Sequence, residues 1–132
     1  MKRRILVVDD EAPIRDVLEK ALTRAGYDVR SAASAGEALG ILQHESIMVM
    51  LLDLHLGGMD GVALCERIRL DNPVGLIYAL TGYTDLFGLL ECRRAGFDDF
   101  FAKPVSLEVL TRAAEDAFEK LGRWNVAGYE LE

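Results

Sequence analysis

Short apolar runs alternate along this chain with segments whose apolar positions recur every three or four residues. Ile5 to Val8 is a continuous apolar run, the pattern of a strand buried on both faces. Ile14, Val17, Leu18, Ala21, Leu22 and Ala25 then fall at helical spacing. Pro13 precedes them, where its missing N–H costs nothing, and Gly26 is a good helix stop. A second strand is predicted over Asp28–Ala32, and Ser34-Ala35-Gly36-Glu37 has the spacing of a capping box that opens a helix from about Ala35 to His44. Ile47 to Leu52 is the most apolar run and reads as the central strand. Asp60 is placed to cap a third helix through about Leu70, before Asn72-Pro73 breaks it. A fourth strand is predicted at Leu76–Leu80, and a fourth helix capped by Thr84 or Asp85 that stops at Gly96. A short fifth strand at Phe100–Ala102 follows, then a last helix capped by Ser106 and ending near Leu121.

Five βα units in a row imply an α/β fold, a doubly wound parallel sheet with helices on both faces. Right-handed crossovers and the chain length select the flavodoxin-like order 2-1-3-4-5. In such sheets the site lies at the carboxyl ends of the strands, at the switch point between strands 1 and 3.

The length, 132 residues, fits one domain able to bury a core without disulfide or metal staples. The composition, 51% hydrophobic and 28% charged, is that of a folded globular chain rather than a disordered one. A net charge of −7 argues against direct nucleic-acid binding by this chain. Cys65 and Cys92 belong to no Cys-x-x-Cys or Cys/His cluster and read as reduced core residues. No run approaches the ~20 apolar residues that span a bilayer. The four-residue apolar run after Met1-Lys2-Arg3-Arg4 is too short for a signal peptide, so a cytoplasmic protein is expected.

The strand ends carry the candidate chemistry. Strand 1 ends in Asp9-Asp10-Glu11, strand 3 in Asp53, strand 4 in Thr81 and strand 5 in Lys103. Each has a plainer reading alone: acids at a helix start, a turn aspartate, a threonine cap, a lysine before proline. The predicted strand order brings all of them to one rim. Carboxylates crowded together repel, and a divalent cation relieves that repulsion. Mg²⁺ takes oxygen ligands, one or two carboxylates with waters and phosphate oxygens. A carboxylate can also act as a nucleophile and form an acyl phosphate. Phosphoryl transfer then needs positioning and neutralised charge on the equatorial oxygens, which Mg²⁺, a lysine and a hydroxyl supply.

Four segments resemble the receiver domain of bacterial two-component response regulators, the chemotaxis-regulator-like type, over Ile5 to about Leu121. They are Ile-Leu-Val-Val-Asp-Asp-Glu at 5–11, Leu-Leu-Asp-Leu-His-Leu-Gly-Gly-Met-Asp-Gly at 51–61, Ala-Leu-Thr-Gly at 79–82, and Ala-Gly-Phe-Asp-Asp-Phe-Phe-Ala-Lys-Pro at 95–104. The resemblance implies that Asp53 is the phosphoacceptor, phosphorylated by a sensor histidine kinase or phosphotransfer protein. Asp10, Asp53 and the backbone carbonyl of His55 would ligate Mg²⁺, with Asp9 helping through water. Lys103 would pair with Asp53 or the phosphoryl oxygens, and Lys103–Pro104 would be cis. Thr81 and Phe100 would be the switch pair, remodelling the face of helix 4, strand 5 and helix 5. The side chains of His55 and Tyr83 would flank the phosphoryl group, either as solvated loop residues or as a shield that slows its hydrolysis.

Three positions depart from the family pattern. Gly57 stands where Pro is usual, which loosens the loop after Asp53. Phe100 stands where Tyr is frequent; without a hydroxyl its ring is expected to lean inward even in the unphosphorylated state. Val105 stands where a larger Phe is common. An aspartyl-phosphate phosphatase would carry a second Asp where His55 stands, and a flavin or nucleotide site would want a Gly- or Ser/Thr-rich loop where Asp9-Asp10-Glu11 stands. A receiver used only for binding would have lost an acid, the Thr or the Lys, and none is lost. Residues 122–132 are expected to be a tail or linker, too short for an effector domain. The output would then pass to a downstream protein or effector domain, or to a homodimer, through the helix 4–strand 5–helix 5 face, where Leu86, Phe87, Leu89 and Leu90 make helix 4 apolar.

Overall fold

The computed structural model describes residues 3–56, 59–82 and 86–126. Its elements run β1 (Arg4–Val8), α1 (Ala12–Arg24), β2 (Asp28–Ala32), α2 (Ala35–His44), β3 (Val49–Asp53), α3 (Gly61–Asp71), β4 (Leu76–Thr81), α4 (Leu86–Ala95), β5 (Asp99–Ala102) and α5 (Leu107–Val126). The strands form one parallel sheet in the order β2-β1-β3-β4-β5. This is the flavodoxin-like doubly wound fold that the alternating pattern predicts.

Strand side chains alternate between two cores, as the period of two requires. Leu6, Val8, Met50, Leu52, Ile77 and Ala79 pack with Ala38, Leu64, Cys65, Ile68 and Cys92 from α2, α3 and α4. Ile5, Val7, Val49, Leu51 and Leu80 pack with Leu18, Leu22, Leu110, Ala114, Phe118 and Leu121 from α1 and α5. Every residue of β3 is buried, which is why its run is apolar without alternation. Both cysteines are buried free thiols, and burial pushes Cys65 up to about 12.

The helix starts use the caps legible in the sequence. Ser34 Oγ accepts the Glu37 N–H at 3.1 Å while the Glu37 carboxylate accepts the Ala33 N–H at 2.9 Å. Asp60 accepts the Ala63 N–H at 2.8 Å, and Ser106 Oγ accepts that of Val109 at 3.4 Å. Gly26 and Gly96 end α1 and α4 with φ of 99° and 108°, the left-handed region that only glycine enters cheaply. The cap expected at Thr84 or Asp85 lies outside the described residues.

Two elements, β3 and α5, have a boundary that differs by two residues or more from the sequence reading. β3 starts at Val49 rather than Ile47 and extends through Asp53, which registers with Leu80. Ile47 is buried, but apolarity marks burial rather than strand pairing. α5 continues to Val126 instead of stopping near Leu121, so residues 122–126 are helical. Glycine favours a helix stop only when it turns left-handed, and Gly122 keeps a negative φ. Among the described residues no helix is long and apolar enough to cross a membrane.

Candidate functional site: an acidic pocket at the strand ends

The parallel register carries four strand ends to one rim. Asp9 follows β1, and its N–H donates to Ala32 O of β2 at 3.1 Å. Asp53 and Thr81 are the last residues of β3 and β4. The β3–β4 and β4–β5 pairings continue just past these ends, through Leu54 N–H to Leu80 O at 3.0 Å and Lys103 N–H to Thr81 O at 2.8 Å. The Lys103–Pro104 peptide is cis, as the resemblance implies.

Asp9, Asp53 and Thr81 are the buried polar residues of the protein's described part, exposed by 0%, 3% and 1%. Lys103 Nζ lies 3.1 Å from Asp9 Oδ2 and 3.3 Å from Asp53 Oδ2. The other oxygen of each carboxylate accepts a backbone N–H two residues on, Asp9 Oδ1 from Glu11 at 2.9 Å and Asp53 Oδ1 from His55 at 3.1 Å. One ammonium therefore serves two buried carboxylates. Asp10 is exposed, yet oxygens of Asp9, Asp10 and Asp53 all lie within 4.8 Å of one another.

The electrostatics reflect this crowding. Burial holds the Asp53 carboxyl above its ordinary range, and Asp9 adds repulsion, against the His55 N–H and Lys103. Burial alone would lower the Lys103 ammonium, but its hydrogen bond to Asp9 and the pull of Asp53 more than offset that and raise it. Lys103 is thus held protonated inside an acid-rich pocket. Three carboxylates facing one cation leave a net negative site, the donor set that suits a hard divalent ion.

The structure brings Asp9, Asp10, Asp53, Thr81 and Lys103 to one rim, as the strand order predicts. It separates the two adjacent acids by role: Asp9 is fully buried against Lys103, whereas Asp10 faces solvent. The His55 side chain is exposed beside the pocket. Phe100 is partly buried and packs against the core shared by α2, α3 and α4. Tyr83 and Gly57 lie outside the described residues. Sequence reasoning missed Arg15, whose Nη1 donates to Asp9 O at 2.8 Å and ties α1 to the end of β1. The signal for it was a cation in the first turns of the helix after an acid pair.

The family model for the response regulator receiver domain matches residues 5–115. This chain belongs to the response regulator receiver domain family. The receiver domain is 41% identical over 105 residues to a "Probable transcriptional regulator ycf27" of Porphyridium aerugineum, covering 80% of this chain and 43% of that protein. It is 38% identical over 110 residues to an "Uncharacterized transcriptional regulatory protein YrkP" of Bacillus subtilis (strain 168), covering 83% and 47%. The receiver domain thus spans less than half the length of these curated relatives. Among solved structures, a CheY-like response regulator receiver domain protein from Methanospirillum hungatei JF-1 aligns with a TM-score of 0.85 and 34% identity, covering 97% of this chain and all of that one. A "BeF3 Activated DrrB Receiver Domain" aligns with a TM-score of 0.83 and 28% identity, covering 90% and 99%.

Proposed function

We propose that Asp53 accepts a phosphoryl group from the phosphohistidine of a sensor histidine kinase or phosphotransfer protein, in a Mg²⁺-dependent reaction. The observation that carries this reading is the buried Asp53 carboxylate held 3.3 Å from Lys103 inside a pocket of three acids. An Asp53 carboxylate oxygen attacks phosphorus; the P–O bond forms as the P–N bond to the donor imidazole breaks, and the imidazole, protonated on its other ring nitrogen before transfer, takes the P–N electron pair and leaves neutral. Lys103 then turns from Asp9 and Asp53 to the phosphoryl oxygens, and the Thr81 hydroxyl donates to the same group. Asp9 keeps Lys103 aimed at the site before transfer.

Asp10, Asp53 and the His55 carbonyl would hold the Mg²⁺, with Asp9 assisting through water. The excess of carboxylates over ammonium groups and the raised Asp53 carboxyl fit such an ion. When bound it supplies charge neutralisation at the phosphoryl oxygens. The side chains of His55 and Tyr83 shield the acyl phosphate from water. The protein's only chemistry is gain and loss of its own phosphoryl group, and its setting is the cytoplasm.

Phosphorylation is read out on the face of α4, β5 and α5. Movement of Thr81 toward the phosphoryl group frees space into which the partly buried Phe100 turns fully. The longer relatives, of which the matched stretch covers less than half, carry names of transcriptional regulators, which supports an effector domain or downstream protein as the recipient, with homodimerisation through the same face as one form of output. The net charge of −7 supports a protein rather than a nucleic acid as the direct partner.

Incubation with Mg²⁺ and acetyl phosphate, followed by intact-mass measurement, tests the assignment. A single phosphoryl adduct that is lost in Asp53→Ala is expected. The absence of an adduct at saturating Mg²⁺, with rapid hydrolysis excluded by quenching, would overturn it.

A further inference from the structure

The first residue of α3 is a buried glycine, Gly61. Its φ is not left-handed, so conformational freedom does not explain it. Space does. A Cβ at this position would overlap the carbonyl oxygen of Asp53 and lie 2.7 Å from Leu54 Cα and 3.0 Å from the Asp53 carbonyl carbon. All are backbone atoms, which cannot swing aside as a side chain would.

The same junction is bonded on both sides. Leu54 donates its N–H to Leu80 O of β4 at 3.0 Å and accepts the Gly61 N–H at 3.1 Å. The next residue, His55, donates its N–H to Asp53 Oδ1 at 3.1 Å. α3 cannot easily recoil, because Leu64, Cys65 and Ile68 lock it into the core. Asp60 closes the turn by capping Ala63.

We infer that the first turn of α3, keyed by the missing side chain of Gly61, is the element that positions Asp53 and the His55 peptide against the groups on β1 and β5. This rests on the phosphoacceptor reading and adds positioning residues to it. Asp9 and Lys103 follow other strands, β1 and β5, and neither takes part in the backbone junction between Asp53, Leu54 and Gly61. A methyl group at Gly61 must therefore shift the acceptor relative to its partners, and displacements of about 1 Å in such sites cost up to ~100-fold in rate.

The test compares Gly61→Ala with Gly40→Ala on α2, where a Cβ meets nothing within 4 Å. Three quantities are read: the His55 amide resonance in metal-free protein, the Mg²⁺ dissociation constant, and the initial rate of adduct formation from acetyl phosphate. Gly61→Ala should shift the His55 amide, weaken Mg²⁺ and slow the rate by roughly 10- to 100-fold, while Gly40→Ala leaves all three unchanged. A folded Gly61→Ala protein matching the parent within about twofold in rate and Mg²⁺ affinity, with an unmoved His55 amide, would overturn the inference. If Gly61→Ala does not fold, Asp60→Ala decides. Loss of the cap should weaken Mg²⁺ and slow the rate in the same direction, and Asp60→Asn, which caps equally well, should restore both. An Asp60→Ala protein with unchanged Mg²⁺ affinity would refute the role of this turn. A parent protein that forms no adduct would instead remove the phosphoacceptor reading, and the amide and Mg²⁺ measurements would still decide the role of Gly61.

Discussion

In the absence of divalent metal, replacing Asp53 by Asn should make the protein more stable. Asp53 is buried, with one attractive partner, Lys103 at 3.3 Å, and carboxylate oxygens of Asp9 and Asp10 within 4.8 Å. At an effective dielectric of 20, attraction to Lys103 is worth about 5 kcal/mol and repulsion from buried Asp9 about 3 kcal/mol, with a smaller, solvent-screened repulsion from exposed Asp10. The charges nearly cancel. The residue is the cost of burying a carboxylate, only part of which the His55 N–H returns. Asparagine keeps the volume and the acceptor but not the charge, and leaves the Lys103–Asp9 pair whole. The expected gain is about 1–2 kcal/mol, a rise in Tm of roughly 3–10 °C for a domain of this size. The sign with pH is also fixed. A carboxyl whose folded pKa is raised stabilises the fold in acid and loses that contribution as pH rises through the folded value. The advantage of Asp53→Asn should therefore be full at neutral pH and shrink as pH falls into the ordinary carboxylate range. Urea unfolding in EDTA measures it. Saturating Mg²⁺ should reverse the order, since an ion at 100 times its dissociation constant adds about 2.7 kcal/mol to the parent. An Asp53→Asn protein that is less stable than the parent in EDTA at neutral pH would refute the reasoning.

Three further outcomes are expected. Arg69 donates to Gly96 O at 2.9 and 2.7 Å, Gly75 O at 2.7 Å, Asn72 O at 3.2 Å and Asp98 Oδ2 at 2.8 Å, so Arg69→Ala should cost about 2–4 kcal/mol in urea unfolding. Arg69→Lys should recover little of it, because an ammonium cannot reproduce the planar fork. A loss below about 1 kcal/mol would mean that these carbonyls find water instead. Gly40→Ala, on the exposed middle of α2, should add about 0.5–1 kcal/mol by reducing the freedom of the unfolded chain, and a destabilised variant would show an unseen clash. The double variant His55→Ala, Tyr83→Ala should lose its phosphoryl group faster than the parent in a time course by intact mass, and an equal decay would show that neither side chain shields it.

The site was legible because each of its groups ends an apolar run. Val7-Val8, Leu51-Leu52 and Ala79-Leu80 each precede an acid or a hydroxyl, and the order of a doubly wound sheet places those ends together. The different fates of Asp9 and Asp10 were not legible. Adjacent acids leave a strand on opposite sides, and only the reach of Lys103, 94 residues away, decides which is buried. Arg69 was hidden for the same reason, since its acceptors on Gly96 and Asp98 are 27 and 29 residues distant. Gly61 stood in plain sight, but close approach of two backbones leaves no pattern in a sequence. The extent of α5, expected to end near Leu121, was underread: Gly122 stays out of the left-handed region, and the helix runs through it to Val126.

The central claim is that Asp53 itself carries the phosphoryl group. Borohydride reduces an acyl phosphate to an alcohol, so treatment of acetyl-phosphate-charged protein should convert Asp53 to homoserine. Tandem mass spectrometry of the peptides spanning residues 5–15 and 51–61 should find that change at position 53 alone, only when Mg²⁺ and phosphodonor are both present. Homoserine at Asp9 or Asp10, or none anywhere in protein that carries the adduct, would contradict the account.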